Sequence, residues 1–434
     1  MSLKLYPAYK DSGVKSLGHI PAHWDVVRLS RFVNFGNGSD YKHVMVENGG
    51  YPVIGSGGEF RRSSEYLFDG ESVLFGRKGT VDKPLYVNGK FWTVDTMYYT
   101  RIDTHRLLPK FLYYWATRIP FDFYVTSTAL PSMTQTDLGS AKIGVPALHE
   151  QEAISNYLDC ETDEIDAFIS DQEDLIALLE ERRTAITAQA VTKGLNSSVP
   201  MKDSGVTWIG EVPAHWLLST LGHHFEVVLG KMLDGAKETP VGARVLPYVR
   251  AGNIQDAGLD LSDVNEMAFT SYEAERLNLM AKDLLVVEGG SVGTVHYLDS
   301  AMDGWSFQKT VNRVRSLGSA DTKYLGYLIR VFRDSGVFEV ICNGSTIMHL
   351  TAEKLRALLI PVPPIDEQRS IAEFVDHETA EIDAAIADAR QAIKLSKERR
   401  AAVISAAVTG KIDVRDRMAR ASTNKVGAES VGVA

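Results

Sequence analysis

At 434 residues the chain is too long for one ordinary hydrophobic core, and its 44% hydrophobic and 24% charged content is that of a globular protein. No run of some eighteen apolar residues is present and MSLKLYPAYKDSG lacks the apolar centre of a signal peptide, so no membrane span is expected and the expected location is cytoplasmic. Two cysteines, Cys160 and Cys342, exclude a disulfide framework or a cysteine-rich zinc site.

A net charge of −10, if evenly spread, would argue against a polyanionic partner, since phosphate contact calls for a basic face. It is not evenly spread. Residues 1–148 carry 17 Lys+Arg against 13 Asp+Glu, whereas residues 149–194 carry 3 against 12. Residues 195–365 carry 15 against 19, and residues 366–434 carry 11 against 12. Most of the acidity sits in one segment, and the total neither supports nor excludes nucleic acid.

The first element is the motif KDSGVKSLGHIPAHW at residues 10–24. The block that follows, about 25–142, holds short alternating runs such as KFWTVDTMYYTRI, broken by Gly and Asn, which read as strands and turns. FLYYWATRI reads as a short helix. The apolar run SVLFGRKGTV at 72–81 ends in a glycine-containing turn, and a later polar stretch leads to Thr134 with Leu138 four residues on.

Residues 149–193 contain no proline, Pro146 precedes them and Gly194 closes them, so they are expected to form one long helix. Ile154, Leu158, Ile165, Phe168, Leu175, Leu179 and Ile186 fit the alternating steps of four and three of a coiled-coil seam. At 1.5 Å per residue, about 45 residues span roughly 65 Å.

The same order then returns. KDSGVTWIGEVPAHW at 202–216 repeats the opening motif at an offset of 192, with Pro213, Ala214, His215 and Trp216 answering Pro21, Ala22, His23 and Trp24. A second divergent block, about 217–359, contains DLLVVEGGSVGTV, the short helix candidate YLGYLIRVF, and Thr351 followed by Leu355. The second helical block matches the first at an offset of 217, so the second half holds 25 more residues. Glu367-Gln368 answers Glu150-Gln151, Glu398-Arg399-Arg400 answers Glu181-Arg182-Arg183, and AVTGK answers AVTKG. Its seam reads Ile371, Val375, Ile382, Ala385, Ala389, Ala392 and Val403. Ten identities in one fifteen-residue motif, followed by a matched helix, mark an internal duplication.

The expected fold is α+β: two mixed α/β domains, 1–148 and 195–365, separated by two long helices, 149–194 and 366–411. The helices are expected to pack as an antiparallel coiled coil, giving a pseudo-twofold internal repeat, with a flexible tail at 412–434.

In this layout the sequence resembles the specificity subunits of type I restriction-modification systems. The likeness rests on the motif KDSGV…IG.(I/V)PAHW present twice, the (I/V)P-x-x-x-EQ helix starts, the ERR–AVT helix ends, and PYVRAGNI at 247–254. The resemblance implies that each divergent block is a target-recognition domain reading one half of a split, asymmetric site in double-stranded DNA. It implies that the helices set the unread spacer and dock two methyltransferase subunits, with restriction/translocase subunits joining them. It further implies that S-adenosylmethionine, ATP and Mg²⁺ belong to those partners, that this chain binds no cofactor of its own, and that methyl transfer to adenine N6 is theirs.

Reading bases needs donors and acceptors, and phosphate contact needs cations and backbone N–H groups. In the first block the candidates are Arg61, Arg62, Arg77, Lys78, Gly79, Lys83, Thr126, Ser127, Thr128, Ser132 and Gln135. In the second they are Lys231, Arg250, Asn253, Ser291, Thr294, Gln308, Lys309, Asn343, Ser345, Thr346 and His349. An ordinary surface cation is merely solvated, so the sets weigh more than their members. The repeated His-Trp pairs read as packing anchors between domain and helix rather than as ligands. The acidic helix face reads as solvated or partner-facing rather than as a metal site. Residues 289–293, Gly-Gly-Ser-Val-Gly, lack the Gly-Lys-Ser/Thr ending of a phosphate loop, and Val-Pro-Pro-Ile at 362–365 lacks the polar first residue of an amino-methyltransferase motif. No catalytic or metal residue is therefore assigned. A protein–protein scaffold and a self-contained modification enzyme remain the competing classes.

Overall fold

SVLFG is the strand Ser72–Gly76, buried along its whole length, and its one polar side chain is satisfied because Ser72 Oγ donates to Thr100 O at 2.8 Å. A continuous buried run of this kind belongs in the middle of a sheet. In the computed structural model, which describes residues 4–121, 131–233, 242–342 and 348–416, the chain forms two compact units. One comprises Met1–Glu173 with Arg390–Ala434, the other Asp174–Ala389.

The first unit has a four-stranded antiparallel sheet in the order Leu85–Val87, Ser72–Gly76, Met97–Ile102, Val33–Asn37. A five-stranded sheet lies in the same unit, in the order Met45–Val46, Gly58–Ser63, Tyr51–Gly55, Lys90–Thr93, Phe68–Asp69. The helix Pro109–Ala116 begins with proline in its first turn and buries Phe111, Leu112, Tyr114 and Trp115. The opening motif is a small hairpin, Tyr9–Asp11 against His19–Pro21, leading to the fully buried Trp24.

The second unit repeats this plan. Its four-stranded sheet runs Val295–Tyr297, Leu284–Val287, Val311–Ser316, Phe225–Leu229, the same order as in the first unit. The helix Thr322–Asp334 is capped by Asp321, whose carboxylate accepts from the backbone N–H groups of Lys323 and Tyr324. The hairpin Met201–Asp203 against Glu211–Pro213 leads to the fully buried Trp216.

The two long helices are Leu148–Lys193 and Ile365–Val408. In the first unit the opening half of the first helix lies beside the closing half of the second, where Glu161 meets Arg399 at 3.2 Å and Asp166 meets Arg400 at 2.8 Å. In the second unit the halves exchange roles, with Arg182 near Glu378 and Arg183 near Asp383 at 3.6 and 3.5 Å. That is antiparallel pairing, held at its flanks by the repeated arginine pairs.

The seam corrects the sequence register in one respect. Phe168 and Leu175, expected in the seam, are 43% and 41% exposed, and Ile169 is the buried residue. At about 100° per residue, position 169 sits about 20° from Leu158 around the helix, whereas 168 sits about 80° away. The same geometry applies eleven residues beyond Val375, where Ile386 is buried and Ala385 only half-buried. Wherever two apolar residues adjoin, the pattern offers both, and the partner helix accepts one.

Each mixed α/β domain is bolted to its helix by a glutamine. Gln151 Oε1 accepts from Leu108 N at 2.8 Å, while its Nε2 donates to Arg106 O and Pro146 O at 2.9 Å. Gln368 does the same for Asp321 N and Pro363 O. Asp159 takes Lys110 and Tyr114, and Asp376 takes Lys323 and Tyr327. Residues 412–414, expected in a flexible tail, are instead packed in the first unit. Ile412 and Val414 belong to the first unit's core, and Asp413 N donates to Lys4 O at 2.8 Å. Among the described residues no helix is long and apolar enough to cross a membrane.

Candidate nucleic-acid interface

The buried strand Ser72–Gly76 ends where the chain must turn sharply. A Cβ at Gly76 would come within 2.1 Å of Thr80 O, and Gly79 holds φ at +81°, so glycine is required at both places. Arg77 N donates to Thr96 O at 2.8 Å, and Arg77 O accepts from Met133 N at 3.1 Å. Gly79 N donates to Pro131 O at 2.9 Å, and Lys78 bridges Ser132. Thr134 caps the helix Gln135–Ser140 by a reciprocal box with Asp137, which fixes the second strand of this junction. Gln135 Nε2 donates to Asn37 Oδ1 at 3.0 Å.

Arg77, Lys78, Gly79, Ser132 and Gln135, chosen from sequence, are thus brought to one edge. The Arg77 guanidinium lies 5.9 Å from the ring centre of Tyr98, and its longest reach is a 3.5 Å contact to Asp95 O. Arg61 and Arg62 stand elsewhere, on the strand Gly58–Ser63 of the five-stranded sheet, with Arg62 3.3 Å from Glu59. Lys83 is exposed on the loop after the turn.

The second unit builds the same edge with other side chains. Glu288 N donates to Thr310 O at 2.9 Å, Glu288 O accepts from Leu350 N at 2.8 Å, and Gly289 bridges His349. Lys309, His349 and Ser291 are exposed there, and Gln308 Oε1 accepts from Thr310 Oγ1 at 2.8 Å. Thr351 caps the following helix as Thr134 does in the first unit.

Four other candidates of this unit are engaged within the fold. Lys231 Nζ donates to Ala268 O and pairs with Glu273. Arg250 pairs with Asp263, and the buried Asn253 amide donates to Asp260 O and Asp263 O. Thr294 is buried and accepts from Arg333 Nη1 at 3.3 Å. Thr126, Ser127 and Thr128, and likewise Asn343, Ser345 and Thr346, lie outside the described residues.

Sequence reasoning missed Glu288. Burial raises its carboxyl above the ordinary glutamate range, and the charges of His349 and Lys309 oppose that rise. Its Oε2 is buried without a partner among the described residues. The signal that could have found it is the register of SVLFGRKG against LLVVEGG, which sets Glu288 opposite Arg77.

A family model for the type I restriction modification DNA specificity domain matches residues 21–173 and 213–393. The specificity subunit of the type I restriction enzyme MjaVIII from Methanocaldococcus jannaschii is 21% identical over 439 residues, covering 94% of this chain and 98% of that protein. The crystal structure of the HsdS subunit from Thermoanaerobacter tengcongensis superposes with a TM-score of 0.55 at 14% identity, covering 91% of this chain and 98% of that one. A chain solved in work on the complex assembly and conformational transition of the type I R-M system gives a TM-score of 0.63 at 16% identity, covering 90% and 98%.

Proposed function

We propose, from the premise that this chain belongs to the type I restriction-modification DNA specificity family, that each unit reads one half of a bipartite, asymmetric site in double-stranded DNA. The observation that carries this reading is the repeated strand-end edge. One backbone arrangement presents Arg77, Lys78, Ser132 and Gln135 in the first unit and Glu288, Lys309 and His349 in the second. A common scaffold with unlike polar side chains is what two half-sites of different sequence require.

Chemistry is left to partners. Two methyltransferase subunits, supplying S-adenosylmethionine, dock on the long helices, and restriction/translocase subunits using ATP and Mg²⁺ join them. Exposed apolar residues on otherwise acidic helices support docking: Leu175 and Leu178 in the second unit, Phe168 and Leu395 in the first. The helices set the length of the unread spacer. Flipping the target adenine costs unstacking energy of a few kcal/mol, shared by the assembled complex.

The test is co-expression with a cognate type I methyltransferase subunit and a genome-wide map of methylated adenines. The expected result is a two-part motif with a constant gap. A map without one, or methyl transfer by this chain alone, refutes the reading.

A further inference from the structure

Residues 77 and 288 occupy one position in two copies of the same edge. Each donates its backbone N–H to the residue just before a neighbouring strand, Thr96 O before Met97–Ile102 or Thr310 O before Val311–Ser316, and each accepts at its carbonyl from the returning segment, Met133 N or Leu350 N. The residue after each forms the bridge to that segment, Lys78 to Ser132 and Gly289 to His349. The neighbouring strand position also corresponds. Tyr98 OH donates to Met133 O at 3.3 Å, and Asn312 Nδ2 donates to Leu350 O at 3.0 Å. With the backbone held alike, the side chains differ in sign.

Resting on the functional reading above, we propose that this is a base-reading position in each unit: Arg77 recognises guanine, and Glu288 recognises the exocyclic amine of cytosine or adenine. The Arg77 guanidinium faces no carboxylate within ion-pair distance among the described residues; it lies over Tyr98 and makes one long contact, from Nη1 to Asp95 O at 3.5 Å, which leaves the other edge of its fork for the paired O6 and N7 acceptors of guanine. Glu288 is the opposite case. Its carboxylate is only half-buried, and its Oε2 has no donor among the described residues. Buried acceptors left open cost stability, and such a cost persists at sites where a ligand supplies the donor. A phosphate cannot supply it, because both groups are acceptors and both are anionic. In the major groove the donors are the amino groups at cytosine N4 and adenine N6. The exposed Lys309 and His349, which act electrostatically on this carboxylate, are placed to hold the DNA backbone while Glu288 faces the bases.

The experiment is methylated-adenine mapping with the assembled methyltransferase complex carrying the wild-type chain, Glu288→Gln, Glu288→Arg or Arg77→Gln. Glu288→Gln is expected to relax one base position of one half-site about tenfold or more, with the other half-site and the gap unchanged. Glu288→Arg is expected to move that position to guanine, and Arg77→Gln to move a guanine of the other half-site to adenine. The unchanged half-site in each variant reports that the protein is folded and assembled. The inference is overturned if both Glu288 variants keep the wild-type motif at every position, or if either loses both half-sites together, which is the mark of a structural role. A wild-type complex with no two-part motif would overturn the functional reading and this inference with it.

Discussion

Trp24 Nε1 donates to Glu150 Oε1 at 3.0 Å, joining the last residue of the opening motif to the first turn of a long helix 126 residues later. The other oxygen of Glu150 accepts from His23 Nε2 at 2.8 Å, so one carboxylate holds the whole His-Trp pair. The repeat keeps half of this device. Glu367 Oε2 accepts from His215 Nε2 at 2.8 Å, but Trp216 Nε1 is buried without a partner among the described residues. Two of the motifs that define the duplication, PAHW and EQ, are therefore the two sides of one joint.

The joint should be stiffer in the first unit. Glu150 is 1% exposed and its loss strands two donors, one of them fully buried. Glu150→Ala is expected to cost about 2–3 kcal/mol, the range for hydrogen bonds to a charged group plus an orphaned donor. Glu367→Ala should cost about half that, since its side chain is 28% exposed and Trp216 gains nothing from it. Thermal unfolding of the two variants decides the order, and equal losses would contradict it.

Glycine ends both long helices over these tryptophans, and the two ends are not equally tight. Gly410 has φ of +70°, and a Cβ there would sit 2.3 Å from Pro21 Cδ. Gly194 has φ of +73°, with Trp216 and Glu367 atoms at 3.1 and 3.2 Å. Gly410→Ala is therefore expected to lower the melting temperature clearly more than Gly194→Ala, which pays mainly the left-handed backbone cost of about 1 kcal/mol. Differential scanning fluorimetry measures both.

Helix length should set the gap in the recognised site. Inserting one or two heptads into both helices at matched positions preserves the seam, because seven residues return each side chain to nearly the same face. The methylation map should then show a wider gap between unchanged half-sites. An unchanged gap would remove the helices from that role.

DNA affinity should fall steeply with salt despite the net charge of −10, since phosphate contact releases counterions. Replacing exposed Lys78, Lys83 or Lys309 by Gln should each lower the slope of log K against log salt by about 1 and weaken all sequences alike. A flat salt dependence would favour a protein scaffold.

Glu288 gives a pH signature. Its carboxyl is raised in the folded state by burial, so the folded protein binds this proton more readily than the unfolded chain does. The destabilisation is fully present above the folded pKa and is relieved as pH falls towards the ordinary value of 4.5. Glu288→Gln should stabilise the free protein at neutral pH, and the advantage should fade in acid. Unfolding midpoints of both proteins across pH 4–8 test this. Recognition of the affected half-site should weaken as the wild-type carboxyl protonates.

By itself the sequence determined the duplication, the order of elements and the two long helices. Those are carried by identity, by proline and glycine at helix ends, and by apolar spacing along one strand of chain. It also offered Arg77 and Lys78 as candidates, because polar residues beside a glycine turn are a local pattern, and Ser132 and Gln135 because a polar run there matches the family's layout. Tertiary structure decided what depends on a partner. It chose Ile169 over Phe168 for the seam, since adjacent apolar residues are distinguished only by the facing helix. It engaged Lys231 and Asn253 inside the fold, since exposure is not written in residue type. And it set Glu288 beside His349, sixty-one residues away, where a carboxylate unremarkable in sequence is left half-buried with one oxygen unpaired among the described residues.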